Sequence, residues 1–360
     1  MKLGEAQSKV EHIAGVPLLP YMEKELQKLY LAKGVQATTA IEGNTLTEKQ
    51  ILEQVDGQLK LPQSQEYMAQ ETQNIIDACN SLTTAVIEGS LDSFDVAFIR
   101  GLNSQVLKGL NSSEGVVPGE IRHYSVTVGQ YRGAPAEDCA YLLGRLCEFL
   151  NTEFLSDEIP KVVMGIVKAV IAHLYIAWIH PFGDGNGRTS RLMEFVILLQ
   201  AGVPAPVAHL LSNHYNQTRA EYYRQLSLAS QSGDALGFLN YAVDGFVDGL
   251  KEQIEKIKKY QRDITWQKFV YDAFKKEKLS SADKRRRDLV IELSSLDKPI
   301  AFSDVKLATP RIASAFAKVS QATLLRDLRV LADKELILIS RGNVFVNKRL
   351  ITAFLPSRAD

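Results

Sequence analysis

The sequence is poor in what marks secreted, membrane-spanning or strongly charged proteins. It has only 3 cysteines in 360 residues, Cys79, Cys139 and Cys147. They sit inside helical patterns without metal-ligand spacing, and so small and odd a number fits buried thiols in a reducing compartment. No apolar run continues uninterrupted for the roughly 18 residues of a membrane span. Residues 162–179 come closest, but Lys168 and His173 break the run. The opening stretch MKLGEAQSKVEHIAG lacks the apolar core of a signal peptide. Net charge is absent, with 42 Lys and Arg against 42 Asp and Glu, and there are no internal repeats or low-complexity tracts. The expectation is a cytoplasmic globular protein with no membrane partner.

Zero net charge hides an asymmetry. Residues 283–360 hold 15 Lys and Arg against 9 Asp and Glu, and the remainder holds 27 against 33. A basic C-terminal module on an acidic body makes DNA a candidate partner for residues 283–360. Most of the first 280 residues show apolar spacing of the helical kind. Around YSVTV the pattern changes to a β-leaning run with Pro and Gly punctuation, which reads as a short hairpin. The polar stretch KKEKLSSADKRRR marks a boundary. After it come two helical stretches, a third that opens on Ser320 as N-cap, and a two-stranded hairpin around Arg-Gly-Asn. That is the order of a winged helix-turn-helix. The predicted architecture is mainly α, with an N-terminal helical region over 1–100, a core over 101–280 and a winged helix-turn-helix over 281–360.

The stretch HPFGDGNGRTSR, residues 180–191, follows the longest apolar helix pattern. Gly185, Asn186 and Gly187 directly precede a new helix, so backbone N–H groups and the positive end of the helix dipole make an anion site. Arg188 and Arg191, three apart in the first turn, oppose that dipole and ask for an anion of their own. Asp184 beside a phosphate site asks for a cation, and Mg²⁺ needs only one or two carboxylates when phosphates supply the rest. His180 is the residue there that can take up a proton near neutral pH. Base, metal carboxylate and phosphate cradle together point to phosphoryl or nucleotidyl transfer to a hydroxyl. A P-loop is excluded, because the lysine that motif needs is absent.

This stretch resembles the signature of the Fic family, H-P-F-x-[DE]-G-N-G-R-x-x-R, at every specified position. The resemblance implies a helical core with a β-hairpin flap that transfers AMP from ATP to a Ser, Thr or Tyr hydroxyl of a protein. It implies His180 as general base, Phe182 as apolar anchor and Asp184 as ligand to Mg²⁺. Gly185, Asn186 and Gly187 would form the anion hole and Arg188 and Arg191 would hold the outer phosphates, with Thr189 and Ser190 inside the same binding stretch. The hairpin, about fifty residues upstream, would line the site with Val126, Thr127, Val128 and Gly129 and receive the target peptide as an added strand. Tyr222 and Tyr223 would border the adenine.

Near the N-terminus, TTAIEGN places Thr38 and Glu42 one helical turn apart at a helix end. A glutamate there opposes the dipole and wants a cationic partner. The segment is similar to the Fic family's inhibitory pattern [ST]-x-x-x-E-[GN], matched by Thr38, Glu42 and Gly43. The resemblance implies that Glu42 pairs with Arg191 and blocks seating of the γ-phosphate. It further implies a protein substrate, the chain itself among the candidate targets, and a homodimer by analogy with relatives carrying this segment N-terminally. Two other readings stay open: removal of AMP by the same site, and a DNA-binding regulator whose core senses nucleotide.

Overall fold

The computed structural model describes residues 1–111, 113–128, 131–152, 159–275, 278–296 and 298–352. The chain divides into two compact units, Met1–Ile254 and Glu255–Asp360.

The first unit is helical. Its elements are α1 (Lys2–Gly15), α2 (Pro20–Ile41), α3 (Glu48–Val55), α4 (Glu66–Ile87), α5 (Val96–Val106), α6 (Cys139–Asn151), α7 (Lys161–Ile179), α8 (Asn186–Gln200), α9 (Ala205–Ala208), α10 (Leu210–Gln217) and α11 (Arg219–Ser232), followed by the first part of the long α12 (Leu236–Ala273). Local chemistry sets several ends. Pro20 opens α2 at a position where its missing N–H costs nothing. Thr47 and Gln50 cap α3 reciprocally, and the Asp95 side chain accepts from Phe98 N at the start of α5. A short hairpin interrupts the helices. Strand β1 (Thr127–Val128) pairs antiparallel with β2 (Tyr131–Arg132), Thr127 opposite Arg132 and Val128 opposite Tyr131.

Helices α7 and α8 lie side by side at the centre and carry the site on the loop between them. Gly165 permits their close approach, since a Cβ there would fall 2.2 Å from the Cβ of Ala201. By length and composition α7 could cross a membrane, although no apolar run of that length was expected. In this fold its apolar residues Ile166, Val170, Leu174 and Ile176 are fully buried in the helical core, which accounts for its composition. Cys79, Cys139 and Cys147 are free and buried.

The second unit contains the end of α12, then α13 (Ser281–Leu293), β3 (Ile300–Ala301), α14 (Pro310–Phe316), α15 (Gln321–Asp333), β4 (Ile337–Ser340) and β5 (Asn343–Val346). The three strands form an antiparallel sheet in the order β3-β5-β4. Arg341 and Gly342 join β4 to β5 with φ of 48° and 76°, the double positive turn that matches strand twist. Strand β3 has no counterpart among the sequence expectations, because two residues are too few for an alternation to show. The core joins Trp266, Val270 and Phe274 to Leu289, Val290, Phe316, Leu328 and Val344. The division between units therefore falls within α12, whereas the sequence reading set its boundary at 281. An uninterrupted helical pattern hides the point at which a helix passes from one core to the next.

Candidate active site

The site begins where α7 stops. His180 closes the helix in the left-handed conformation, φ 49° and ψ 58°, which costs a residue with a Cβ about 1–2 kcal/mol. Pro181 follows and cannot continue the helix. The loop then folds onto itself. The Asn186 side chain donates to Phe182 O at 2.8 Å and accepts from Phe182 N at 3.0 Å. Phe182, 1% exposed, is sunk into the core and bridges to Ile121. Gly185 turns the chain with φ of 77° and caps α8, whose ladder begins with Thr189 N donating to Gly185 O at 2.9 Å. The N–H groups of Asn186, Gly187 and Arg188 precede that first bond and are the donors a helix start offers to an anion.

Arg122, which the sequence reading passed over, holds His180 in place. It is 3% exposed and donates through Nε to His180 O at 2.7 Å and through Nη1 to Tyr124 O at 2.5 Å. Its Nη2 donates to Ala134 O at 2.5 Å and to Ile179 O at 3.3 Å. One guanidinium thus ties the C-terminal carbonyls of α7 to both flanks of the hairpin. Its charge also suits a helix C-terminus. Gly133 makes room for the arrangement, for a Cβ there would lie 3.1 Å from both Arg122 Nη2 and His180 Cβ. The hairpin is pinned to α7 a second time by Tyr131, whose hydroxyl donates to Trp178 O at 2.5 Å. Val126 precedes β1 and accepts from Gly133 N at 3.1 Å, Thr127 and Val128 form β1, and Gly129 lies outside the described residues.

Burial pushes the His180 imidazole below its ordinary pKa, and the Arg122 charge acts in the same direction. The ring is therefore neutral at pH 7 and able to accept a proton. Asp184 is half-exposed at the mouth of the loop. Its Oδ1 accepts from Gly185 N at 2.5 Å and from Arg188 Nη2 at 3.2 Å. Its other oxygen has no partner among the described residues.

Arg191 is 3% exposed and meets the end of α2. Its Nε donates to Thr38 Oγ1 at 2.7 Å, and its Nη2 donates to Thr38 O at 3.0 Å and to Glu42 Oε1 at 2.5 Å. Gly187 admits the carboxylate to this spot, since a Cβ there would sit 2.4 Å from Glu42 Oε1. Gly43, with φ of 102°, turns the chain immediately after. Burial alone would raise the Glu42 carboxyl. The Arg191 guanidinium overcomes that and holds it below the ordinary carboxylate range. A second cation supports the helix end: Arg219 donates to Ile41 O at 2.5 Å and to Ala40 O at 3.3 Å. The cationic partner that a glutamate at a helix C-terminus asks for is thus Arg191, while Arg219 serves the carbonyls beside it.

The other expected site residues, Tyr223 excepted, are buried among neighbours of their own. Thr189 and Ser190 are fully buried. Thr189 Oγ1 accepts from Asn103 Nδ2 at 3.3 Å, and Ser190 Oγ donates to Gly187 O at 2.8 Å. Tyr222 is 3% exposed, with its hydroxyl 2.8 Å from His173 Nε2 and its ring stacked on Tyr215. His173 lies 3.1 Å from Glu194, which also accepts from the Tyr215 hydroxyl at 2.7 Å. This buried polar cluster fixes α8 from behind. Tyr223 is the exposed member of the pair and lies near the end of α2.

Residues 93–198 match the Fic/DOC family. The chain carries a Fic domain. The match spans α5, the hairpin, α6, α7, the loop and most of α8. Outside it lie Glu42 and α2, which the Fic domain meets through Arg191. Among curated relatives, the chain is 29% identical over 237 residues to protein adenylyltransferase fic-1 of Caenorhabditis elegans, covering 66% of this chain and 43% of that protein. It is 31% identical over 246 residues to protein adenylyltransferase Fic of Drosophila melanogaster, covering 67% of this chain and 44% of that protein. The chain thus spans less than half the length of these relatives. Among solved structures, Fic-1 (residues 134–508) of C. elegans aligns with a TM-score of 0.57 at 26% identity, covering 71% of this chain and 72% of that one. A Fic family protein of Desulfovibrio desulfuricans G20 aligns with a TM-score of 0.56 at 19% identity over 96% of this chain and 95% of its own, a likeness of fold.

Proposed function

We propose that this chain transfers the AMP part of ATP to a hydroxyl of a protein and that Glu42 restrains the transfer. The observation that carries the reading is one loop bringing together a neutral His180, the free N–H groups at the start of α8, Asp184 and two arginines, in a Fic domain whose relatives are named protein adenylyltransferases. In this reading the α8 N–H groups and Arg188 bind the phosphates, and the hairpin presents the target. His180 accepts the hydroxyl proton as the oxygen bonds to the α-phosphorus and pyrophosphate leaves with its bond to that phosphorus broken. The half-exposed carboxylate of Asp184 suits a Mg²⁺ ion that arrives with the nucleotide and neutralises phosphate charge. The phosphates would need Arg191, which Glu42 and Thr38 now hold.

Incubation with α-labelled ATP tests this. Glu42→Gly is expected to raise label transfer to the chain itself or to lysate proteins well above the unmodified chain, and Glu42→Gly with His180→Ala to abolish it. Equal, negligible transfer by the unmodified and Glu42→Gly proteins would refute the restraint. Transfer surviving loss of His180 would refute its role as base.

A second reading concerns the C-terminal unit, for which the partner would be duplex DNA. The basic run KRRRD at the start of α13 does not support it. Arg285 and Arg286 pair inward with the fully buried Asp327, and Arg287 lies over Tyr271. What favours it is that Arg326 and Arg329 stand exposed on α15 and Arg341 on the β4–β5 turn, with no acidic partner among the described residues. Gel shifts of the full chain at two salt concentrations test it. Arg326→Ala with Arg329→Ala should lower the salt dependence by about two phosphate contacts, and no shift at low salt would refute the partner.

A further inference from the structure

The two motif arginines are held by different carboxylates, and the Fic signature contains only one part of that arrangement. Arg188 donates through Nη1 to Glu71 Oε1 at 2.6 Å, and through Nη2 to Asp184. Glu71 sits on α4, outside the matched segment, and is 9% exposed. Its second oxygen, Oε2, accepts from Asn44 Nδ2 at 2.8 Å. Asn44 is fastened in turn, donating to Met68 O at 3.1 Å and accepting from Leu46 N at 3.0 Å. Asn44 lies two residues beyond Glu42, on the turn that ends α2. One turn therefore reaches both arginines, Arg191 through Glu42 and Arg188 through Asn44 and Glu71.

A buried ion pair seldom adds stability over apolar residues of the same volume, so Glu71 and Arg188 call for another explanation. Geometry supplies one. The Arg188 side chain is 7% exposed, and its two carboxylate partners differ: that of Glu71 is 11% exposed, that of Asp184 is 54% exposed. Without Glu71 the guanidinium would turn both nitrogens onto Asp184, its remaining acceptor, and form the bidentate pair that Arg and carboxylate favour. That would withdraw Arg188 from an incoming phosphate and occupy both Asp184 oxygens.

We propose that Glu71 is a positioning residue for nucleotide recognition. It holds Arg188 by Nη1, so that only Nη2 reaches Asp184 and one Asp184 oxygen stays open to an incoming nucleotide, and Asn44 locks Glu71 in that orientation. The proposal deepens the AMP-transfer reading, and it concerns discrimination of a nucleoside triphosphate from a monophosphate.

The test uses the full chain carrying Glu42→Gly, with and without Glu71→Gln, and measures ATP and AMP binding by calorimetry together with KM and kcat. AMP lacks the outer phosphates, so a positioning role moves ATP and leaves AMP. With Glu71→Gln, ATP affinity should fall about tenfold, the worth of one charge-assisted contact. AMP affinity should stay unchanged, with KM for ATP rising in step and kcat little altered. Asn44→Ala keeps the Glu71 charge but frees its second oxygen, and should lower the ATP-to-AMP affinity ratio by about two- to threefold. This variant decides the matter if Glu71→Gln does not fold. An unchanged ratio, or equal loss for both nucleotides as in a merely structural role, overturns the proposal. Failure of the Glu42→Gly chain itself to bind ATP overturns the underlying reading and the proposal with it.

Discussion

Arg122 is the residue whose replacement should separate holding the base from being the base. Its guanidinium reaches four carbonyls, of Tyr124, Ala134, Ile179 and His180. A lysine ammonium in the same place could satisfy at most three acceptors from a single nitrogen, and could not span acceptors on both hairpin flanks and on the helix end together. Arg122→Lys should therefore keep the buried charge but release part of the clamp. The His180 backbone would then be free to leave its left-handed conformation, a strain of about 1–2 kcal/mol that the clamp now opposes. If that strain is fully expressed, the competent geometry is depopulated by about 5- to 30-fold. Single-turnover AMP transfer by the Glu42→Gly chain is the assay, with and without Arg122→Lys. The rate constant should fall by that factor while AMP affinity stays level. Urea unfolding should show a loss of about 2–4 kcal/mol, from one or two carbonyls left without a charged donor. Transfer at the parental rate, with the loss of stability present, would refute the positioning argument. It would mean that the helix end and Pro181 suffice to orient the imidazole.

Three further outcomes follow from groups already placed. Burial pushes His209 to about 4, while in the unfolded chain it titrates near 6.5, so below pH 6.5 the unfolded state takes up a proton that the folded state refuses. Stability should drop by roughly 1.5 kcal/mol between pH 6.5 and pH 5, and urea midpoints that fall equally in His209→Phe would count against this source. The lowered Glu42 pKa means that its pairing is complete above the ordinary carboxylate range and is lost only as pH falls through the lowered value. The transfer ratio of Glu42→Gly to unmodified chain should thus be flat from about pH 5.5 to 8, and a tenfold change across that window would be inconsistent with it. Gly187→Ala puts a methyl 2.4 Å from Glu42 Oε1 and should destabilise the chain by about 1–3 kcal/mol, but less so with Glu42→Gly. Equal melting-temperature losses in the two backgrounds would rule the collision out.

The site loop was legible because its chemistry is local. An anion hole, a carboxylate and a base within twelve residues announce themselves without a fold. The end of α2 was legible for a related reason: a glutamate at a helix C-terminus lacks compensation nearby and so must find it at a distance. Arg122 gave no such sign. Its partners lie up to 58 residues away, and IRH before a hairpin reads as ordinary surface charge. Glu71 carried a signal that went unused, for it stands four residues before Ile75 on the same face as Thr72, Cys79 and Leu82, all buried. A charged residue on the apolar face of a helix asks for a buried partner. Among the helices, α1 has no counterpart in the sequence reading because polar residues dilute its apolar spacing, and α3, α9 and α10 have none because they are too short for the spacing to repeat.

The long helix α12 also bears on how the chain can be cut. Trp266, Val270 and Phe274 belong to the core of the second unit, and all are 0–1% exposed. A fragment beginning at residue 281 would lack these three side chains, each worth about 1.5–3 kcal/mol of burial. The complementary fragment would bear them uncovered on its last helical turns. Evolutionary loss or gain of the C-terminal unit by a break in the polar stretch after α12 would therefore leave both products sticky. A break near residue 255, within the helix, would keep each core whole.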